Sequence, residues 1–404
     1  MNTLCLVFDG LHVGYLGPYG NSWIKTPNFN RLAAGSFLLD HVLIDSCNLH
    51  RLYRSYWTGR HAMSHDKPDV LSPSLAGELR AAGVKTVLLT DEPRIAHHPL
   101  AEDFEEVIEL DPPCAEHLAV EVEGTHFGRC FISLMDLLST IEEPFFLWCH
   151  FGGLSKVWDA PFWFRRWYQL PGDPSPPKFV AAPQQTLDDD YDPDELWGIC
   201  QAYAGQVTLL DACLGAFCDF LEELPFFRHT LLSVISAGGF PLGGRGRIGG
   251  EADLTSESVH VPWLLQLPDA AAAALRSQAL VGPADLWATL REWQQLGPTK
   301  PTPFAASVFP LARQESTSLH DRLCLIDNTG VRAIRTPAWY LWTGEQPQLY
   351  VKPDDQWEVN DVAPRLPHIV EGLHAALEQF VGCLLADCAD ALPPLDDQLL
   401  KGLS

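Results

Sequence analysis

The chain has 404 residues, 47% hydrophobic and 20% charged, a balance that supports one large folded domain with a smaller companion and excludes a disordered chain. Its formal net charge of −25 argues against nucleic acid, whose phosphates need a basic surface, and opposes long-range attraction of a sulfated polyanion. No run reaches the roughly 18–20 consecutive apolar residues of a membrane span. The opening Met-Asn-Thr-Leu-Cys-Leu-Val-Phe-Asp lacks the basic start and long apolar run of a signal peptide, and the eleven cysteines include no C-x-x-C pair. Reduced, buried thiols and a cytoplasmic location are therefore expected.

Along the chain, apolar runs of strand length alternate with segments of helical period, the pattern of a largely parallel sheet covered on both faces. Leu4–Phe8 reads as the first strand and Asn28–Ala34 as the first helix. The helix Ser74–Ala82 and strand Lys85–Leu89 come next, then the helix Gly128–Thr140 and strand Phe145–His150. Residues 159–194 break the alternation with aromatics, arginines and prolines followed by an acidic run. That stretch reads either as an active-site insertion or as a surface excursion anchored by its own aromatics. Glu195–Glu223 is the strongest helix, with apolar residues at spacings of three and four and acids near its start.

The strands Thr230–Ile235 and Val261–Leu267 and the helix Pro283–Gln294 complete the large domain, expected over residues 1–296. A Pro/Thr segment at Gly297–Pro303 marks a boundary. Beyond it, strands within Leu323–Trp342 and a helix near Pro367–Cys383 suggest a small α+β subdomain over 304–384, with 385–404 as a partly ordered tail. In such a fold ligands bind beyond the carboxyl ends of the strands, which places Asp9, Asp91, His150 and Ala237 around one cleft.

Residues 48–61 read Asn-Leu-His-Arg-Leu-Tyr-Arg-Ser-Tyr-Trp-Thr-Gly-Arg-His. Other segments stand out in order: LCLVFDGLHVGYLGPYG (4–20), TPNFNRLAAGSFLLDHV (26–42), PSLAGELRAAGVKTVLLTD (73–91), EEPFFLWCHFGG (142–153), YAGQVTLLDACLGAFCDFLEE (203–223), LLSVISAGG (231–239), HVPWLLQLPD (260–269), VGPADLWATL (281–290) and AIRTPAWYLW with QLYVKPDDQWEVNDVA (333–363). In type and order these resemble the sulfatase family of the alkaline-phosphatase-like superfamily. The resemblance implies that fold: a large, mostly parallel sheet flanked by helices, with a small C-terminal α+β subdomain.

It also implies chemistry that this chain lacks. The family carries C/S-x-P-S-R, four residues, then T-G-R, and counting back nine places from Thr58 puts Leu49 where the formylglycine precursor belongs. No formylglycine is expected. The family's Asp-Asp pair after the first strand is here Asp9-Gly10, and its late S-D-H-G is Ser236-Ala237-Gly238-Gly239. Asp9 is the only surviving metal ligand, too little for a hard dication that wants about six oxygens, so no cofactor is expected, with weak Ca2+ or Mg2+ binding at Asp9 as the alternative. Of the family's His, four residues, His motif, His150 remains and Ser155 replaces the second histidine. Its lysine and histidine after the third strand correspond to Asp91 and Pro93.

Cys47, with Arg51 four residues on, is a candidate for a relocated nucleophile, although two extra residues before Thr58 rotate the downstream face by about 200°. His50, Arg51 and Arg54 are candidate anion ligands. Arg247, near the family's late lysine, is a candidate anion subsite. The expected function is that of a degenerate sulfatase homologue that binds an anionic or sulfated small molecule or glycan, or a protein partner. The alternative is an active sulfate- or phosphate-ester hydrolase using a non-standard set from Asp9, Cys47, His50, His61 and His65. A third reading is a structural subunit paired with an active paralogue, its thirteen tryptophans serving an interface or simply the core.

Overall fold

The computed structural model describes residues 1–64, 74–188, 190–250, 253–297, 303–386 and 392–402. His65 and the middle of the expected Pro/Thr boundary lie outside them. The strands are β1 (Asn2–Asp9), β2 (Phe37–Leu43), β3 (Lys85–Thr90), β4 (Glu106–Glu109), β5 (Phe145–Phe151), β6 (Gln185–Thr186), β7 (Thr230–Gly238), β8 (Arg247–Ile248), β9 (His260–Gln266), β10 (Arg276–Val281), β11 (Leu323–Ile326), β12 (Arg332–Arg335), β13 (Trp339–Trp342) and β14 (Gln348–Val351). The helices are α1 (Pro27–Ala34), α2 (Leu49–Thr58), α3 (Leu75–Ala81), α4 (Pro93–Ala96), α5 (His126–Leu138), α6 (Gly153–Lys156), α7 (Phe162–Arg166), α8 (Pro193–Glu223), α9 (Ser256–Val259), α10 (Pro283–Trp293), α11 (Phe309–Ala312), α12 (Pro367–Leu385) and α13 (Asp397–Lys401).

The chain forms two compact units. The first comprises Met1–Leu38, Arg80–Ala252 and Val261–Arg276. Its strands run in the order β9-β7-β1-β5-β3-β4, parallel except for β9 against β7. Alternation explains why β1 sits at the centre. Leu4, Leu6 and Phe8 join one apolar cluster with Leu147 and Cys149 of β5 and Leu232 and Val234 of β7, while Cys5 and Val7 on the opposite face are equally buried. A strand buried on both faces needs an apolar centre, which Leu4–Phe8 supplies.

α1, α5 and α8 supply the helical side of that cluster through Phe29, Phe131 and Leu214, among others. α8 starts at the cap Asp192, whose side chain accepts from Asp194 N–H, with Asp194 and Glu195 in the first turn favouring the helix dipole. It is long and apolar enough to cross a membrane, yet most of its apolar stretch is buried within the fold, as a core helix requires. Asp211 of α8 accepts from the Asn28 and Phe29 N–H groups and so caps α1 from a neighbouring element.

The 159–194 stretch is organised by one buried cation. Arg165 of α7 donates to the carbonyls of Trp158 (2.5 Å), Pro177 (2.5 Å) and Phe179 (2.9 Å), and its guanidinium lies over the Phe179 ring. Burial lowers its pKa to about 10, against the pull of Asp159. Gly205 of α8 makes room for it, since a Cβ there would come within 2.9 Å of Arg165 N. Phe164 and Tyr168 are buried, whereas Trp163 and Trp167 are exposed.

The second unit comprises Leu39–Leu79, Asp253–His260 and Ser277–Ser404. β11 to β14 form an antiparallel meander, and Ile334, Leu341 and Leu349 pack with Leu373, Leu377 and Phe380 of α12. The chain end is tied down: Thr336 Oγ1 donates to Leu399 O, Trp339 Nε1 donates to Gln398 O, and Leu399 is buried. Glu358 is buried with Lys352 at 2.6 Å and accepts from Ser256 N–H.

Replacing Arg165 with Ala leaves three carbonyls without their donor and removes a packed side chain. The expected loss is about 3–5 kcal/mol of unfolding free energy, with faster amide exchange concentrated in residues 158–183. A melting temperature within a degree of wild type would show that the stretch is held by its aromatics alone.

Candidate functional site

The strand ends of the first unit bring together Asp9, Ala237, His150 and Asp91. In register Asp9 faces Gly238 of β7, and His150 faces Thr90, the residue before Asp91. The loop after β1 is pinned at each step. Gly10 N–H donates to Gly238 O at 3.0 Å, Tyr203 Oη of α8 donates to Gly10 O at 2.6 Å, and the same hydroxyl accepts from His12 N–H at 2.9 Å. Gly10 has φ +83°, and a Cβ on it would lie 2.8 Å from Ser155 N and about as close to Leu154 C. The backbone of α6 thus occupies the space in which a second carboxylate would start.

Ser155 Oγ approaches Asp9 Oδ2 at 2.9 Å and Gly152 O at 3.0 Å. Ser155, expected at the position of a second histidine, is therefore a partner of Asp9. At the end of β7, Ala237 and Gly238 are buried and offer no side-chain donor atom, while Ser236 Oγ is used on Phe8 O and Gly238 O. His150 is fully buried, and burial pushes its pKa down against the opposing charges of Asp9, Asp91 and Glu92.

Around Asp91, which the sequence had placed at this cleft, three residues were not singled out: His126, Cys130 and Glu92. Asp91, fully buried, accepts from Gly152 N–H at 2.8 and 3.1 Å and from His126 Nε2 at 2.6 Å. Cys130, one turn after His126 on α5, places Sγ 3.4 Å from the same Nε2. Glu92 is buried between two cations: Arg94 Nε and Nη2 reach its two oxygens at 2.8 and 3.1 Å, and Lys156 Nζ binds Oε2. His126-x-x-x-Cys130 was available as a signal, since residues four apart share a helix face. Glu92 carried none.

The remaining candidates lie in the second unit. Leu49 opens α2, whose cap Asn48 accepts from Arg51 N–H. The Cys47 thiol donates to Asp253 O, and burial, with the charges of Asp253 and Asp327, pushes its pKa far up. Such a thiol is a hydrogen-bond donor, not a thiolate nucleophile. His50 and Arg51 are exposed. Arg54 is not a cleft cation as expected: it is buried and donates to the carbonyls of His61, Ala62 and Ser64, closing the loop after α2. His61 is also buried, its Nε2 bonded to Cys324 O and its pKa lowered by burial.

Arg247, in the first unit, is half-buried in β8, paired in register with Thr186 of β6. A divalent cation fits the Asp9 end poorly. It would find one carboxylate already engaged by a hydroxyl, a glycine that cannot be extended, and a β7 end whose Ser236 hydroxyl is already spent on backbone carbonyls.

The Sulfatase family model matches residues 1–296. No curated protein matches the chain by sequence. Among solved structures, a phosphonate monoester hydrolase of Agrobacterium radiobacter is similar at 17% identity, covering 95% of this chain and 96% of its own, with a TM-score of 0.78. A protein solved in complex with its substrate D-glucosamine-2-N,6-O-disulfate has a TM-score of 0.78 at 15% identity, covering 95% of this chain and 98% of its own. A phosphonate monoester hydrolase from Silicibacter pomeroyi has a TM-score of 0.71 at 17% identity over 94% of both chains.

Glu92 should carry a measurable pH dependence. Burial pushes its carboxyl up, but the hydrogen bonds and charges of Arg94 and Lys156 together outweigh it and hold the pKa at about 2, below the ordinary 4.5. A depressed folded-state pKa stabilises the fold above the unfolded value, and that stability drains away as pH falls from about 4.5 toward 2. Arg94 is 64% exposed, so solvent screening limits the effect to roughly 1–2 kcal/mol. In urea melts at about pH 6 and pH 3, wild type should lose about 1 kcal/mol more than Glu92→Gln. Equal losses would mean that the buried pairings contribute nothing.

Proposed function

Since the chain belongs to the sulfatase family, we propose that it is a member whose hydrolytic centre has decayed and which acts by binding, its ligand being an anionic or sulfated molecule or a protein partner. The observation that carries this reading is the Asp9–Ser155 contact beside Gly10. The one acid left from the metal set is hydrogen-bonded to the residue standing where the family keeps its second histidine, and α6 backbone fills the place of the second acid.

The nucleophile argues the same way. Sulfuryl transfer in this family's manner needs an activated oxygen held against a cation that neutralises the sulfate. Leu49 has no oxygen to activate, and the Cys47 thiol keeps its proton. Two nearby cations are committed as well, because Lys156 and Arg94 share Glu92. That pairing favours a protein partner over a bare anion at the strand ends.

The purified protein, with Ca2+ or Mg2+ supplied, should turn over aryl sulfate, phosphate monoester and phosphonate monoester no faster than buffer does. Its peptide masses should match the unmodified sequence, with no aldehyde at Cys47. Turnover that disappears in Asp9→Ala would establish a working hydrolase and end this reading.

A further inference from the structure

Asp91, His126 and Cys130 are all buried, and one donor atom from each lies within 4.8 Å of the other two. The separations are 2.6 Å from Asp91 Oδ2 to His126 Nε2, 3.4 Å from His126 Nε2 to Cys130 Sγ, and 4.0 Å from Cys130 Sγ to Asp91 Oδ2. We propose that these three side chains bind a thiophilic divalent transition metal, Zn2+ by chemistry, at a site distinct from the hard-cation site that the family would place at Asp9.

Geometry carries the case. Tetrahedral ligands at zinc-like bond lengths of about 2.0–2.3 Å stand roughly 3.3–3.8 Å apart. The 3.4 Å separation falls inside that range, the 4.0 Å one needs only a slight closing, and the 2.6 Å one needs to open by under about 1 Å once a metal replaces the proton between Asp91 and His126. The supporting contacts fix the ligands in advance. Gly152 N–H holds both Asp91 oxygens, while Asp159 accepts from the backbone N–H of His126 at 2.6 Å, fixing the start of α5, and is itself held by Gln206 of α8. His126 and Cys130 project from consecutive turns of α5, and Asp91 arrives from the end of β3, so the fold itself converges the three.

Charge balance selects the metal. One thiolate and one carboxylate neutralise a dication, so the loaded site buries no net charge, and thiolate with imidazole prefers zinc-like ions over Ca2+ or Mg2+. On binding, the Cys130 thiol releases its proton to solvent and His126 moves its ring proton from Nε2 to Nδ1, leaving Nε2, Sγ and Oδ2 on the metal. A Cys-His-Asp nucleophile does not fit the same atoms. Thiol and carboxylate both meet the single ring nitrogen Nε2, whereas a relay needs one on each side of the ring.

Co2+ is the direct probe, because it reports a thiolate ligand by charge-transfer absorption and tetrahedral geometry by its visible bands. Full-length protein, stripped of metal, should take up one Co2+ per chain with an intensity matching a single thiolate. Zn2+ should displace it and millimolar Ca2+ should not. Cys130→Ser should lose the charge-transfer band and weaken Zn2+ binding about 100-fold or more, while Cys47→Ser leaves both unchanged. A wild-type protein without the band, or with an intensity for two or more thiolates, would overturn the assignment even if the variants fail to fold. So would a band that survives Cys130→Ser.

Discussion

At Gly10 the chain turns with φ +83° and passes so close to the Leu154–Ser155 peptide that any Cβ would collide with backbone, which has no rotamer with which to yield. The approach is enforced from several sides. Gly238 O holds the Gly10 N–H, Tyr203 of the long buried α8 holds the Gly10 carbonyl, and Ser155 holds the Asp9 carboxylate. Since β1 lies at the centre of the first unit's sheet and is buried on both faces, this turn cannot relax without disturbing the core. Placing a carboxylate at position 10 would therefore require moving α6, a backbone obstacle that comes before any chemical one.

The strand ends are also electrostatically self-contained. Asp91 is satisfied by Gly152 and His126, and Glu92 by Arg94 and Lys156, so the groups nearest to His150 spend their hydrogen bonds on one another. A sulfate arriving there would have to displace Glu92 from two cations while facing Asp9. In a chain of net charge −25, this local pairing adds to the long-range opposition to polyanions.

Much of the architecture was legible because burial writes itself into periodicity. The apolar runs of β1, β5 and β7 and the helical pattern of α8 needed no tertiary information, and the structure extends each by one to three residues. The absence of Asp and His after β7 was equally plain. What sequence could not supply was the partner of each leftover polar group. Asp91 was visible as a replaced cation, but its pairing with His126 spans 35 residues and depends on β3 and α5 meeting. Arg54 looked like an anion ligand because arginine near a cleft often is. Only the loop carbonyls at 61–64 reveal it as a structural clamp. Ser155, noted as a lost histidine, proved to be a contact of Asp9.

Calcium titration of the full-length protein, followed by calorimetry, tests most directly whether the Asp9 end has lost its cation. No binding is expected up to millimolar Ca2+, from wild type and Asp9→Ala alike, and the two titrations should superimpose. Saturable binding of one Ca2+ per chain, abolished by Asp9→Ala, would contradict the closure of this site by Gly10 and Ser155.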